Sequence, residues 1–505
     1  MRNRVRFTLS LIALTAFAAV GYAQDLASFE KRVTVKKLDN GLTLIVLERP
    51  EAPVFSFFTH VDAGGAQEVP GITGLAHMFE HMAFKGTDVI GTTDINAERA
   101  ALAKVEVAYN AYDLERRRMT GRDDAKVAEL EKSWRATIAE ADKYVVKNEF
   151  GDIIDREGGV GLNAYTNSDE TGYFYSLPSN RLELWAYLES ERFLKPVMRE
   201  FYKERDVVQE ERRMRTDSNP IGRLIEQFLT TAFTAHTYAQ PVVGWMSDLQ
   251  SFSATDAQQF YDKHYIPANM TVAVVGDVRP AEVVAVVEKY FGRIPGKAKP
   301  ASLRTMEPKQ AAERQVTLRE TAQPFYIEGY HKPSANHPDN AVYEVISDLL
   351  SSGRTSRLYK SLVRDKKIAA QASGFNGFPG DKYPSLFAML AVPTPGHTTE
   401  EVRDALRAEL ETMKSTDVTA EELKMVKTRA KANLLRQLDD NNGLALQLGN
   451  AHARYGDWRE LFRQVEKLDK VTAADIRRVA SETFVSSNRT VGVLESSAAA
   501  KGASK

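Results

Sequence analysis

The sequence contains no cysteine, which excludes disulfides, thiolate metal ligands and a thiol nucleophile. Any transition-metal site must therefore be assembled from histidines and carboxylates. Charge of one sign is also lacking: Lys plus Arg total 67 against 68 for Asp plus Glu, so no global field draws the chain to nucleic acid or to an anionic membrane. Beyond the N-terminus no run is long and apolar enough to span a bilayer, which needs about 20 residues. Neither a phosphate-cradling P-loop nor a Gly-x-Ser-x-Gly nucleophile elbow is present.

The chain does have size. At 505 residues and 43% hydrophobic, it exceeds one ordinary core, and two or more domains are expected. Arg2, Arg4 and Arg6 precede an apolar run from Phe7 to Val20 and the small-residue end Gly21-Tyr22-Ala23. This pattern predicts a secretory signal over residues 1–23, cleaved after about Ala23, and a periplasmic or secreted protein without stable membrane insertion.

An internal repeat sets the organisation. The segment DLQSFSATDAQQFYDKHYIPANMTVAVVG from Asp248 aligns without gaps on KLDKVTAADIRRVASETFVSSNRTVGVLE from Lys467, at a constant offset of 219 residues. Leu249 falls on Leu468, Asp256 on Asp475, Tyr265 on Phe484 and Asn269 on Asn488. Each copy reads as a Ser- or Thr-capped helix, a loop and a β-branched strand. A spacing this large implies duplicated domains, and strands followed by long helices suggest α+β or α/β layers. We expect two domains, each a mostly antiparallel sheet flanked by helices, over residues 24–290 and 313–497. A Pro- and Lys-rich linker is expected at 291–312, and a disordered tail at 498–505. From about 97 to 146 the apolar residues recur at helical spacing on either side of Thr120-Gly121, which predicts a helical hairpin inserted in the first repeat.

The chemistry is carried by His77-Met78-Phe79-Glu80-His81. Helical residues four apart share a face, so His77 and His81 can chelate one ion while Glu80 lies close enough to take a proton from water at that ion. A catalytic zinc site takes three protein ligands and leaves one position open. In EFYKERDVVQEERRM, Glu204 and Glu211 lie seven apart and share a helix face, so one can ligate while the other supports. His236 and His331 lack chelating spacing.

At these two motifs, HMFEH and ERDVVQEE, the chain resembles the pitrilysin/insulinase family, with its inverted zinc motif HxxEH and a downstream helix patterned ERxxVxxE. The resemblance, of the two-repeat bacterial type, spans nearly the whole mature chain. It implies zinc, one ion per chain, held by His77, His81 and Glu211, with Glu80 as general base and Glu204 as the carboxylate orienting a ligand histidine; Glu210 is the neighbouring alternative to Glu211. It further implies that GGVGLNAYTNSDETGYFYSLP holds an edge strand on which a peptide lies, with Asn163 and Ala164 near the scissile bond. The implied activity is zinc-dependent endopeptidase hydrolysis.

The chain departs from the family at one place. Family members that act as single catalytic units carry an Arg and a Tyr seven residues apart in the second half; here Arg364 fits the arginine, but Gln371 stands at the tyrosine. Glutamine has no phenol to polarise a carbonyl. The departure points to a homodimer, or a heterodimer with a second family chain that supplies Arg and Tyr. Competing readings are a non-catalytic assembly subunit, against which the intact His77, Glu80, His81 and Glu211 argue, and a hydrolase of non-peptide substrates.

Overall fold

The structure is a computed structural model and describes residues 26–497; the expected signal segment and the tail lie outside them. Among the described residues eleven strands form two sheets: β1 (Val33–Lys37), β2 (Thr43–Glu48), β3 (Val54–Val61), β4 (Val160–Thr166), β5 (Thr171–Pro178) and β6 (Met270–Gly276) in the first, and β7 (Arg314–Glu320), β8 (Phe325–Lys332), β9 (Ala369–Phe378), β10 (Ser385–Pro393) and β11 (Arg489–Ser496) in the second. The orders are β1-β2-β6-β3-β5-β4 and β7-β11-β8-β10-β9. Within each sheet one neighbouring pair is parallel, β2 with β6 and β7 with β11, and all the others are antiparallel. The fold is thus the expected two-sheet α+β arrangement. Strand β6, MTVAVVG, is buried along its whole length, as its apolar sequence, interrupted only by Thr271, requires of a strand covered on both faces.

The helices that build and frame the site are α1 (Leu75–Met82), α2 (Ile95–Arg116), α3 (Asp124–Ala141), α4 (Phe201–Arg212), α5 (Pro220–Ala232), α6 (Ala254–His264), α7 (Asn441–Tyr455) and α8 (Ala473–Thr483). The repeat is visible atom by atom. Helices α6 and α8 begin and end at the same 219-residue offset and start with the same device, a capping box of Ser253 with Asp256 and of Thr472 with Asp475. Past each helix an asparagine ties its end to a strand: Asn269 Nδ2 donates to the carbonyls of His264 (2.9 Å) and Asp62 (3.1 Å), and Asn488 Nδ2 to those of Thr483 (3.0 Å) and His331 (2.8 Å). Helices α2 and α3 are the hairpin, each capped at its N-terminus by an aspartate, Asp94 and Asp123. Its buried stripe includes Val105, Tyr109 and Trp134, and Gly121 supplies a positive φ in the connecting turn.

Sequence order does not decide which sheet a helix covers. Helix α5 precedes the linker, yet Leu224 and Phe228 bury against Ile327, Leu386 and Leu494 of the second sheet. Helix α7 follows the linker, yet Leu444, Ala445 and Leu448 bury against Ile45, Phe58 and Ala273 of the first. The approach of α7 is close enough that a Cβ on Gly449 would fall 2.6 Å from the Phe58 ring, so only glycine fits there. Each half therefore lends one helix to the other's core.

Candidate metal centre

Helix α1 carries the histidines and has no cap of its own. Gly74, at its N-cap, adopts φ +95° and has no side chain. Its free amides are taken instead by the buried Glu68, whose Oε2 accepts from the Gly74 N–H (2.8 Å) and Oε1 from the Ala76 N–H (2.7 Å). Burial pushes the Glu68 carboxyl up to about 8, against the pull of those amides. Asp248 fixes the loop before it, accepting from the Gly71 N–H (3.0 Å) and from Thr73 through N–H (3.2 Å) and hydroxyl (2.6 Å). Leu75, Ala76, Met78, Phe79 and Met82 of α1 are buried in the first core, which leaves His77, Glu80 and His81 for the remaining face.

Opposite them, α4 presents Glu211. Nε2 of His77 lies 3.5 Å, and Nε2 of His81 3.4 Å, from the same Glu211 oxygen, Oε2. One ligand atom from each of the three residues fits within 4.8 Å of the others. Glu210 turns away and pairs with Arg213. Glu204, two helical turns before Glu211, places Oε2 3.4 Å from Nδ1 of His81 and is itself held by Lys85 at 2.5 Å. Arg215 pairs with the other Glu211 oxygen at 2.6 Å.

The electrostatics follow from this crowding. Burial pushes the His77 imidazole down to about 4 despite the Glu211 carboxylate. Burial opposes charge on His81 too, but hydrogen bonds to Glu204 and Glu211 outweigh it and hold that ring up at about 9. The Glu211 carboxyl is lowered, first by its hydrogen bond to His81 and against burial. Glu204 is lowered because His81 and Lys85 outweigh its own desolvation. Glu80, half-buried beside the cluster, is raised by burial, which outweighs a hydrogen bond from the Thr166 hydroxyl of β4.

This donor set fits a divalent metal. Once His81 gives up its Nε2 proton and keeps the Nδ1 proton directed at Glu204, its Nε2 lone pair faces the same anionic oxygen on which the Nε2 of His77 converges, an arrangement that a cation between them satisfies. The Nδ1 of His77 is buried without a hydrogen-bond partner.

The remaining expected residues divide. Asn163 and Ala164 lie on β4, an edge strand of the first sheet next to α1; Asn163 is exposed and its Oδ1 accepts from the Ala164 N–H at 2.9 Å. Arg364 is not brought to the cluster: its guanidinium is exposed and chelates the carboxylate of the adjacent Asp365 at 2.6 and 3.0 Å. Gln371 is exposed on β9, an edge strand of the second sheet. Sequence reasoning missed Glu68, Asp248, Lys85 and Thr166. Only Thr166 left a signal, since it ends the quoted Asn-Ala-x-Thr segment.

Comparison with known proteins gives matches to one peptidase family. Residues 44–116 match the family description "Insulinase (Peptidase family M16)", and residues 251–430 match "Peptidase M16 inactive domain". The chain is 28% identical over 497 residues, covering 96% of it and 97% of the relative, to a protein named zinc protease PqqE from Helicobacter pylori. It is 24% identical, over 92% of each chain, to an uncharacterised zinc protease from Mycobacterium leprae. Among solved structures, a protease from Helicobacter pylori superposes with a TM-score of 0.77 at 27% identity, covering 92% of this chain and 99% of that one. The periplasmic protease PqqL from Escherichia coli shares the fold, with a TM-score of 0.69 at 18% identity over 94% of this chain and 48% of that one. These matches support placing the chain with the pitrilysin/insulinase family.

Proposed function

We propose that the chain is a periplasmic zinc-dependent endopeptidase. The observation that carries this reading is the convergence of His77, His81 and Glu211 with a raised, half-buried Glu80 at their side. His77, His81 and Glu211 would hold one zinc, which when bound polarises a carbonyl and acidifies water. Glu80 takes a proton from the water that attacks the peptide carbonyl. It returns that proton to the leaving amine as the C–N bond breaks. Its burial favours the protonated form, which suits a group that must hold a proton between the two steps. Glu204 and Lys85 keep His81 in orientation. The peptide lies along the free edge of β4, beside Asn163 and Ala164, by backbone pairing that reads little sequence.

Arg364 is paired with Asp365, and Gln371, which can donate only through its amide, stands where the phenol is expected, so the second half lacks the family's Arg and Tyr pair. This supports a working unit with a further chain, either a second copy or a family partner supplying Arg and Tyr. The periplasmic assignment rests on the Arg2–Ala23 segment and the periplasmic relative. Among the described residues no helix is long and apolar enough to cross a membrane.

The test is to quantify metal in the purified mature chain and follow cleavage of a peptide library, alone and with any co-purifying chain. Glu80→Gln should retain about one zinc per chain and lose cleavage by about 10²–10⁴-fold. A chain that binds no metal would favour the assembly-subunit reading. Cleavage of esters but not peptides would favour a different substrate class.

A further inference from the structure

Strand β4 has one neighbour, β5, and the register between them breaks between Val160 and Asn163, so the sheet alone fixes its position poorly. The turn that follows it, residues 167–170, is gripped from two sides. On the first-half side the Gly65 N–H donates to the Asn167 carbonyl (3.1 Å) and the Ala66 N–H to that of Ser168 (2.8 Å). A Cβ on Gly64 would fall 2.3 Å from the Asn167 oxygen.

The other grip comes from the half that carries no histidine pair. The buried Asp169 accepts through Oδ2 from the backbone N–H groups of Asp381 (2.9 Å) and Lys382 (3.1 Å), while its Oδ1 accepts from the hydroxyl of Tyr238 (2.5 Å), a first-half residue. The fit leaves no room for a side chain at residue 380: a Cβ on Gly380 would fall 2.5 Å from Asp169 Oδ2. Helix α7 adds a second hold, since Asn450 Nδ2 donates to the Tyr165 hydroxyl (3.4 Å), which in turn donates to Glu170 (2.7 Å). These anchors hold Asn163–Thr166, the stretch that would take the peptide and whose Thr166 hydroxyl reaches Glu80.

Resting on the peptidase reading, we propose that Asp169 is a positioning residue through which the second half, by its Gly380–Lys382 loop, clamps β4 in the place where it binds peptide. The clamp gives the half without metal ligands a direct part in substrate binding. It acts on the strand rather than on the reacting atoms, so its loss falls on KM.

The test uses the zinc-loaded full chain with Asp169→Ala, which removes the acceptor of all three hydrogen bonds, Gly380→Ala, which forces the loop away, and the double variant. Each single change should raise KM for a cleaved peptide about tenfold with kcat within about twofold and zinc content unchanged. The double variant should be no worse than the poorer single one, because both break one contact. Unchanged KM with falling kcat, the signature of lost folded enzyme, would overturn the proposal, as would multiplicative effects. If the wild type cleaves no peptide, alone or with any co-purifying chain, the peptidase reading fails by itself. Hydrogen exchange then decides the clamp: faster exchange at the amides of 163–166 in Gly380→Ala supports it, and unchanged exchange refutes it.

Discussion

At the residue scale the proposed metal would compete with a proton for the centre. Near pH 7 the metal-free site carries a proton on His81, held up at about 9, while His77, pushed down to about 4, is neutral and Glu211 is ionised. Ligation requires the lone pair of His81, so zinc uptake near pH 7 should release about one proton per ion. Apparent affinity should then rise about tenfold per pH unit through neutrality and level off above about 9. Titration calorimetry in buffers of different ionisation enthalpy measures the released proton directly; none released would mean that His81 is already neutral. Much of this centre was legible. His77 and His81 sit four apart and Glu204 and Glu211 seven apart, spacings that put each pair on one helix face, whereas Glu210, six from Glu204, falls off it. Thr166 and Lys85 were not assigned, because their contacts with Glu80 and Glu204 join segments that only the folded chain brings together.

At the scale of the element, α1 shows where local sequence runs out. Helices α6 and α8 announce their starts through Ser253-x-x-Asp256 and Thr472-x-x-Asp475, and the hairpin through its periodic Val105, Tyr109 and Trp134. Helix α1 starts at a bare glycine, and its cap comes from Glu68, outside the helix and buried at 1% exposure. Nothing in the pattern around HMFEH marks that partner. Glu68→Ala should leave the Gly74 and Ala76 amides buried and unpaired at a cost of about 1–3 kcal/mol. Because α1 carries two of the three proposed ligands, the same change should weaken zinc binding. A lower thermal midpoint of the metal-free variant, together with a competition titration against a chelator, checks both; unchanged values would mean that water replaces the carboxylate without loss.

For the whole molecule, the 219-residue offset made the duplication readable, and the two sheets share a strand order apart from the extra β1. The exchange of helices was not readable, since an amphipathic helix shows that it covers an apolar face but not which one. The exchange has a consequence for dividing the chain at the linker. A fragment of residues 26–290 would expose Ile45, Leu47, Phe58, Ala273 and Val275, fully buried in the intact chain beneath Leu444, Ala445 and Leu448. One of 313–497 would expose Ile327, Leu386 and Leu494, from which Leu224 and Phe228 had been removed. Each large side chain uncovered forfeits about 1.5–3 kcal/mol, so several at once approach the whole stability of a domain, about 5–15 kcal/mol. Separately produced fragments should therefore aggregate or remain protease-sensitive, and co-production should recover a soluble one-to-one complex that binds zinc. Size-exclusion chromatography and limited proteolysis read the outcome. Two fragments that are each monomeric and protease-resistant would show that the lent helices are dispensable to the cores they cover.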